Sequence, residues 1–194
     1  MINIEQVKEL RQETGVSISE CQSALEEAGG NAEKAKEILR KLGKELANKK
    51  SSREAGNGII KAYIHPNNKV GAIIKLRCET DFVAKGDDFQ ELAHEICLQI
   101  TAMKPLFLNE EEIPEEIIES ERRIYLAQMA DSGKPEEILN QIINGKLAKY
   151  KKQVSLLSQP WVKDDTTTIK DLIEKYVAKI GENIILEKFE RYEI

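Results

Sequence analysis

The side chains best suited to acid–base or metal chemistry are few, and their spacing fits no familiar catalytic set. The chain has two histidines, His65 and His94, and a group of acids at Asp81, Asp87 and Asp88. The acids lack the spacing of an EF-hand loop, and no phosphate-binding glycine loop, GxSxG or HExxH motif occurs. We therefore expect neither a metal site nor a cofactor. An enzyme site built from these distant residues stays an alternative, but the sequence favours a protein that acts by binding another protein.

The most informative stretch is residues 78–85, with the sequence CETDFVAK. It follows the β-branched run 70–76 and precedes a strongly helical stretch that begins at Phe89, so it lies at a strand-to-helix junction. Such connections lie at the surface, where function is often carried. Two interpretations of Phe82 stay open at this point. Either it fills the core between the strand and the helix, or it inserts into a pocket of another protein.

Composition argues against several classes of protein. The net charge of −5 argues against general binding to a phosphate backbone, so we expect no direct contact with nucleic acid. No apolar run approaches the length needed to span a membrane, and the first residues lack the pattern of a secretion signal. The three cysteines, Cys21, Cys78 and Cys97, have no CxxC spacing, which argues against zinc and against a disulfide framework. A cytoplasmic protein is expected.

Residues 1–43 predict a compact unit of three helices. The expected helices cover residues 4–13, 19–28 and 32–42. Ser19 and Gln22 have the spacing of a capping box, Asn31 is suited to cap the third helix, and Gly43 is expected to end it. A unit this small buries little surface by itself. Recognition of another protein and packing onto the rest of the chain both remain open as its role.

The rest of the chain predicts a linker followed by an α+β domain. Residues 44–57 are rich in charged and small residues and are expected to form the linker. Residues 58–194 form the expected domain, which begins with an antiparallel hairpin of strands 59–64 and 70–78. Its remaining expected elements are helices at 89–103, 113–129, 135–151 and 169–180, a loop at 159–161 and a last strand at 183–192. This order is typical of a small antiparallel sheet covered by helices.

Several sequence strings, taken in order and at fitting distances, resemble the bacterial elongation factor Ts family. They are VKELR at 7–11, TG at 14–15, ETDFVAK at 79–85, SGKP at 132–135, QP at 159–160 and GENI at 181–184. The resemblance covers nearly the whole chain and is to the short form with a single core subdomain. The length leaves no room for the duplicated subdomain and inserted helical hairpin of longer members. Trp161 stands where the family usually has phenylalanine.

The resemblance implies guanine-nucleotide exchange on elongation factor Tu, without any covalent step. In the family, the segment that corresponds to Thr80, Asp81, Phe82 and Val83 intrudes on the GTP-binding domain of elongation factor Tu beside its magnesium site. Phe82 is then expected to act as a wedge that weakens the binding of the magnesium ion and so promotes the release of GDP. Asp81 is expected to hold donors of the partner or to disturb the field near the metal, while Thr80 and Val83 fix the turn.

The resemblance also implies how the two units divide the work. The first 43 residues look like a ubiquitin-associated-type module that docks on elongation factor Tu, and Val16 and Ile18 are the expected contact residues. Short members of the family self-associate, so residues 58–194 are expected to form the core and dimerisation domain of a homodimer. The last strand contains no cysteine, and the dimer is therefore expected to be non-covalent.

Overall fold

The computed structural model describes residues 3–130, 133 and 135–194. Its helices are α1 (Ile4–Thr14), α2 (Ile18–Glu27), α3 (Ala32–Lys50), α4 (Asp81–Lys85), α5 (Asp87–Met103), α6 (Glu115–Gln128), α7 (Glu136–Val154) and α8 (Ile169–Ile180). Its strands are β1 (Asn57–Ile64), β2 (Val70–Cys78), β3 (Pro160–Trp161), β4 (Asp164–Thr168) and β5 (Ile185–Glu193). The predicted α+β class is confirmed. Ser132 and Lys134 of the SGKP string lie outside the described residues, as do residues 1–2 of the expected module.

Helices α1, α2 and the first half of α3 pack around a small core of their own. Its buried members are Val7, Leu10, Cys21, Ala24, Leu25, Ala35 and Leu39. The cap of α2 differs from the prediction, because Ser17 and not Ser19 occupies the N-cap position. The Ser17 hydroxyl accepts the Glu20 N–H at 3.3 Å and donates to the Glu20 carboxylate at 2.6 Å. The pair satisfies the start of the helix locally, and α2 therefore begins one residue earlier than expected.

The expected end of the third helix at Gly43 is wrong, because α3 continues to Lys50. Gly43 is buried where α3 crosses α8, and a Cβ at this position would lie 3.5 Å from the Cβ of Ala178. A Cβ there would make only an ordinary contact, so the helix continues because its packing against α8 outweighs the low helix propensity of glycine. Residues 44–50 of the expected linker are helical. The division into module 1–43, linker 44–57 and core 58–194 stays a prediction.

Strands β1, β2 and β5 form a three-stranded antiparallel sheet in that order. Helix α5 covers one face of the sheet and α8 packs against α5. The buried side chains of β2 alternate with exposed ones, as a half-covered sheet requires. The predicted hairpin and last strand are confirmed. Residues 159–161 were expected to be a loop, but Pro160–Trp161 pairs with β4 as a small second sheet.

Helices α6 and α7 pack against each other as a helical hairpin beside the sheet. Ile113, Ile118, Ile143 and Leu147 form its buried core. Arg122 donates from its guanidinium to the Asn144 side chain at 3.2 Å. Both helices were expected, at 113–129 and 135–151, but their pairing was not. Within the described ranges, no helix is long and apolar enough to cross a membrane.

Candidate partner-binding site

Phe82 projects from the five-residue helix α4 into solvent. It is 84% exposed, whereas Phe89, seven positions later on α5, is completely buried. The interpretation of Phe82 as a core residue is therefore wrong. A large exposed aromatic side chain on a short, ordered element is a feature of binding surfaces, because such side chains supply much contact area at little entropic cost.

Helix α4 begins at a capped turn and is anchored by one buried side chain. Thr80 is the N-cap, with extended backbone angles, and its hydroxyl accepts the Val83 N–H at 3.3 Å. Ala84 is buried in the main core and fixes the inner face of the helix. A helix of this length cannot persist by itself, because nucleation is costly and few hydrogen bonds repay it. Contacts with the rest of the fold must therefore hold it.

A carboxylate from the α8–β5 turn holds the start of α4. Glu182 accepts three hydrogen bonds: from the Glu79 N–H at 3.0 Å, the Thr80 N–H at 3.0 Å and the Thr80 hydroxyl at 2.7 Å. In return, the Glu79 carboxylate accepts the Asn183 N–H at 2.7 Å. Sequence reasoning assigned no role to Glu182. The available signal was that both ends of the contact lie in the strings at 79–85 and 181–184.

The other end of α4 and its underside are held as well. Gln90 donates from its side-chain amide to the Ala84 carbonyl at 2.9 Å, and Lys61 donates to the Gln90 side chain at 3.2 Å. Beneath the turn, the Cys78 thiol donates to the Thr80 carbonyl at 3.1 Å. Burial raises the pKa of Cys78 to about 11, so the thiol is neutral near pH 7 and acts as a donor rather than as a nucleophile.

The four expected site residues differ in what they present to solvent. Asp81 and Phe82 are exposed, whereas Val83 is half-buried against the main core and the Thr80 hydroxyl is engaged within the fold. The Asp81 carboxylate accepts from the Lys85 ammonium at 2.8 Å, and this hydrogen bond lowers the pKa of Asp81. Asp81 is therefore ionised at neutral pH. A partner that approaches α4 meets an aromatic ring beside a carboxylate–ammonium pair.

The two expected contact residues of the N-terminal unit lie at the α1–α2 connection. Ile18, the first residue of α2, is 54% exposed. Val16 is half-buried and packs against the small core of α1–α3. Of the two, Ile18 is thus the side chain that a partner can reach, and Val16 supports the loop from below.

The residues considered for an enzyme site have structural partners. The Tyr63 hydroxyl lies 3.1 Å from His65 Nδ1, and the His94 ring packs edge-on against the Tyr63 ring at 5.5 Å between centroids. Among the residues that the structure describes, no hydrogen bond joins either histidine to Asp81. No group of three His, Cys, Asp or Glu residues in these ranges could hold a metal ion.

Comparison with known proteins gives matches along the chain. The family model described as Elongation factor TS matches residues 4–194. A protein named elongation factor Ts from Thermotoga petrophila is 50% identical over 193 residues, which cover 100% of this chain and 96% of the relative. Its namesake from Coprothermobacter proteolyticus is 50% identical over 186 residues, 96% of this chain and 94% of the relative. The one from Carboxydothermus hydrogenoformans is 46% identical over 194 residues, 100% of this chain and 89% of the relative.

Proposed function

This chain belongs to the elongation factor Ts family, and we propose that it promotes nucleotide exchange on elongation factor Tu by inserting Phe82. It is a guanine-nucleotide exchange factor of translation elongation, as the family match and the names of its relatives indicate. The proposal concerns how it performs that exchange. Asp81 and Phe82 make the contact, and Thr80 and Val83 hold them in place.

The observation that carries the proposal is the exposed Phe82 on a short helix held at both ends. An aromatic side chain that is 84% exposed gains contact area only when a partner covers it. Because the backbone beneath it is fixed by Glu182 and Gln90, the ring enters a partner pocket with little loss of entropy on binding. Such a ring can displace packed elements of the partner, which an adaptable loop could not do.

The magnesium ion of elongation factor Tu is the target that this contact fits. Magnesium requires near-ideal octahedral geometry, so a small shift of the elements that hold it weakens its binding and, with it, that of GDP. Thermodynamic linkage then requires that GDP weakens binding of this chain by the same factor. The chain binds the GDP complex, passes through a transient ternary state and is expelled by the incoming nucleotide. No covalent step is needed, so the chain acts without being an enzyme.

We also propose that the N-terminal unit docks on elongation factor Tu through Ile18. Its half-exposed side chain lies at the start of α2, and Val16 supports the loop beside it. This contact supplies affinity and orientation rather than the displacement itself. Because α3 is continuous and packs on α8, the docking unit is connected to the core by a helix and not by a flexible segment.

We propose further that two copies of the chain form a non-covalent homodimer through the uncovered face of the sheet. At one end of this face, Ile64, Gly71 and Tyr192 lie side by side across the three strands, and both large side chains are mostly exposed. At the other end, Glu187 pairs with Lys75 and Arg77. An apolar patch bordered by charges is typical of a protein interface, and a two-fold axis would place the same patch on both sides. The three cysteines are buried, so an exposed thiol does not enter this interface.

Analytical ultracentrifugation tests the dimer directly. The wild-type chain should sediment at about twice the monomer mass of 22.0 kDa. Ile64→Lys places a charge in the patch and should yield the monomer, whereas Ile138→Lys on α7, also at an exposed isoleucine, should leave the dimer intact. A monomeric wild type would rule out the homodimer.

The exchange function is tested by the release of fluorescent GDP from a bacterial elongation factor Tu. At millimolar magnesium, substoichiometric amounts of the chain should accelerate release strongly. In EDTA, the release of GDP without the chain should already be fast. The acceleration by the chain should then be smaller, because the magnesium ion whose binding Phe82 weakens has been removed. An unchanged acceleration in EDTA would contradict the magnesium mechanism, and no acceleration in magnesium would contradict the exchange function. We place this activity in the cytoplasm, without direct binding to nucleic acid.

A further inference from the structure

We propose that Glu182 is a positioning residue for nucleotide exchange, which acts through Thr80 to present Phe82 in a single orientation. This inference rests on the proposed function of Phe82. Glu182 lies on the turn between α8 and β5, 102 positions away from Thr80 in the sequence. It does not contact the partner in this proposal. Its task is to fix the backbone from which the aromatic ring projects.

Both oxygens of the Glu182 carboxylate are engaged at the turn before α4. One oxygen accepts from two successive backbone N–H groups, those of Glu79 and Thr80, each at 3.0 Å. The other accepts from the Thr80 hydroxyl at 2.7 Å. Hydrogen bonds to an ionised acceptor are stronger than neutral ones, and three of them in different directions define the orientation of a turn. The carboxylate thus determines where α4 begins and in which direction it points.

The Thr80 hydroxyl transmits this constraint into the helix. It donates to Glu182 and at the same time accepts the Val83 N–H at 3.3 Å, so one oxygen joins the clamp to the first turn of α4. Phe82 lies between these two points. With the clamp in place, the exposed ring projects from a backbone whose N-terminal turn is fixed at two successive residues.

The turn that carries Glu182 is itself anchored to the end of α3. Gly181 ends α8 in the left-handed conformation, with φ of +85°, and its carbonyl accepts from the Lys50 ammonium. The Asn183 side chain donates to the Arg53 carbonyl at 2.8 Å. Glu182 therefore projects from a turn that is held on both sides, and the end of α3 is connected through it to the base of Phe82.

Loss of this clamp should affect the rate of exchange more than the affinity. In Glu182→Ala the ring of Phe82 remains exposed and can still contact the partner, but the turn beneath it samples several orientations. A displaced reacting group loses rate steeply with small errors of position, and we expect the maximal rate of GDP release to fall by about tenfold. The concentration of the chain that gives half-maximal release should change by less than about twofold, since docking at Ile18 is unaffected.

Two further variants separate positioning from general damage. Glu182→Gln keeps an acceptor oxygen for the backbone N–H groups and should retain more of the maximal rate than Glu182→Ala. Glu112→Ala is the matched control, because the Glu112 carboxylate accepts from the Leu108 N–H at 3.2 Å and from the Asn109 amide at 3.0 Å at a different turn. The control should exchange GDP at the wild-type rate. Equal losses in Glu182→Ala and Glu112→Ala would overturn the proposal.

A double-mutant cycle with Phe82→Ala gives the deciding result. If Glu182 acts through Phe82, adding Glu182→Ala to Phe82→Ala should cause no further loss of maximal rate, while amide hydrogen exchange at residues 80–83 should still accelerate. Independent, additive losses would overturn the proposal. If wild type and Glu182→Ala release GDP equally fast while Phe82→Ala does not, this inference alone fails. If wild type itself causes no release, the proposed function fails and the inference falls with it.

Discussion

Two exposed apolar side chains, Phe82 and Ile18, are held in place by different means. Phe82 lies on a turn whose clamp, Glu182, comes from a distant part of the chain. Ile18 begins a helix whose cap is local, since Ser17 and Glu20 satisfy each other three residues apart. A local cap fixes the start of a helix, whereas a distant clamp fixes a helix relative to the core. The local cap at Ile18 is sufficient for docking, and the distant clamp beneath Phe82 is suited to displacing part of a partner.

The two regions also differ in how they connect to the main core. Helix α4 is joined to it directly, through the buried Ala84 and the half-buried Val83. The N-terminal unit has its own small core and meets the rest of the fold along α3. Ion pairs reinforce that contact. The carboxylate of Asp171 on α8 lies 2.9 Å from the Arg40 guanidinium and 2.7 Å from the Lys44 ammonium. Affinity and displacement can therefore be separated by mutation.

The largest expected effect is on the free energy of unfolding and distinguishes the buried Phe89 from the exposed Phe82. Phe89→Ala should lower the free energy of unfolding by about 3–5 kcal/mol, because the ring is completely buried. Phe82→Ala should change it by less than about 0.5 kcal/mol, since its ring is in water. Urea unfolding followed by circular dichroism measures both. Similar losses for the two variants would mean that Phe82 is part of the core.

The next effect concerns the contact between the two regions and depends on pH. Burial alone would raise the pKa of Asp171, but hydrogen bonds from Lys44 and Thr168 outweigh it and lower the pKa to about 2. An aspartate in the unfolded chain titrates near pH 4, so the lowered pKa stabilises the fold by about 2 kcal/mol at neutral pH. This stabilisation is complete above about pH 4 and is lost as the pH falls towards 2.

Asp171→Asn should therefore be less stable than wild type by about 2 kcal/mol at pH 7. The difference should narrow as the pH falls below about 4, because wild type then loses the charge that the variant never had. Unfolding in urea at a series of pH values measures it. A difference that stays constant from pH 7 to pH 3 would show that the charge of Asp171 is not its source.

A smaller effect tests docking at the N-terminal unit. Ile18→Ser removes a half-exposed apolar side chain and should raise the concentration for half-maximal GDP release by roughly fivefold, about 1 kcal/mol. The maximal rate should not change. Ile4→Ser, at another exposed isoleucine of the same unit, is the control and should behave as wild type. A loss of maximal rate in Ile18→Ser would contradict the division of work between the two regions.

The smallest expected effect is at the ion pair beside Phe82. Lys85→Met should leave the unfolding temperature unchanged, because the pair is exposed and screened. The pKa of Asp81 should rise toward its ordinary value once the Lys85 hydrogen bond is gone. Titration of the Asp81 carboxyl by NMR measures the change. A pKa that did not move would show that Lys85 does not hold this carboxylate.

Local signals in the sequence predicted the elements whose ends are determined locally. Strand β2 and helix α8 have the predicted bounds, and Gly181 ends α8 as a left-handed residue should. Gly43 was misleading, because α3 continues through it where the helix packs against α8, and the neighbouring sequence does not reveal that packing. The pairing of β3 with β4, and of α6 with α7, likewise depends on contacts between segments that neither segment reveals alone.

In the candidate site, too, the local features were predicted and the contacts between distant segments were not. The residue types at 80–83 and their place between a strand and a helix indicated an exposed junction, and Phe82 is exposed. The Glu182 clamp was not predicted: the strings at 79–85 and 181–184 mark both of its ends, but neither string specifies that the two turns meet. The pattern left burial and partner contact open for Phe82, and the structure decides between them. Which residue holds it in position is decided by tertiary structure.

The most direct test of this account is the maximal rate of GDP release from elongation factor Tu by Phe82→Ala, measured by stopped-flow fluorescence at saturating concentrations. The account predicts a folded variant whose unfolding temperature matches wild type and whose maximal rate is reduced by about a hundredfold or more, on the order of 3 kcal/mol. Its half-maximal concentration should stay close to that of wild type. A folded Phe82→Ala that releases GDP at the wild-type rate would contradict the central claim.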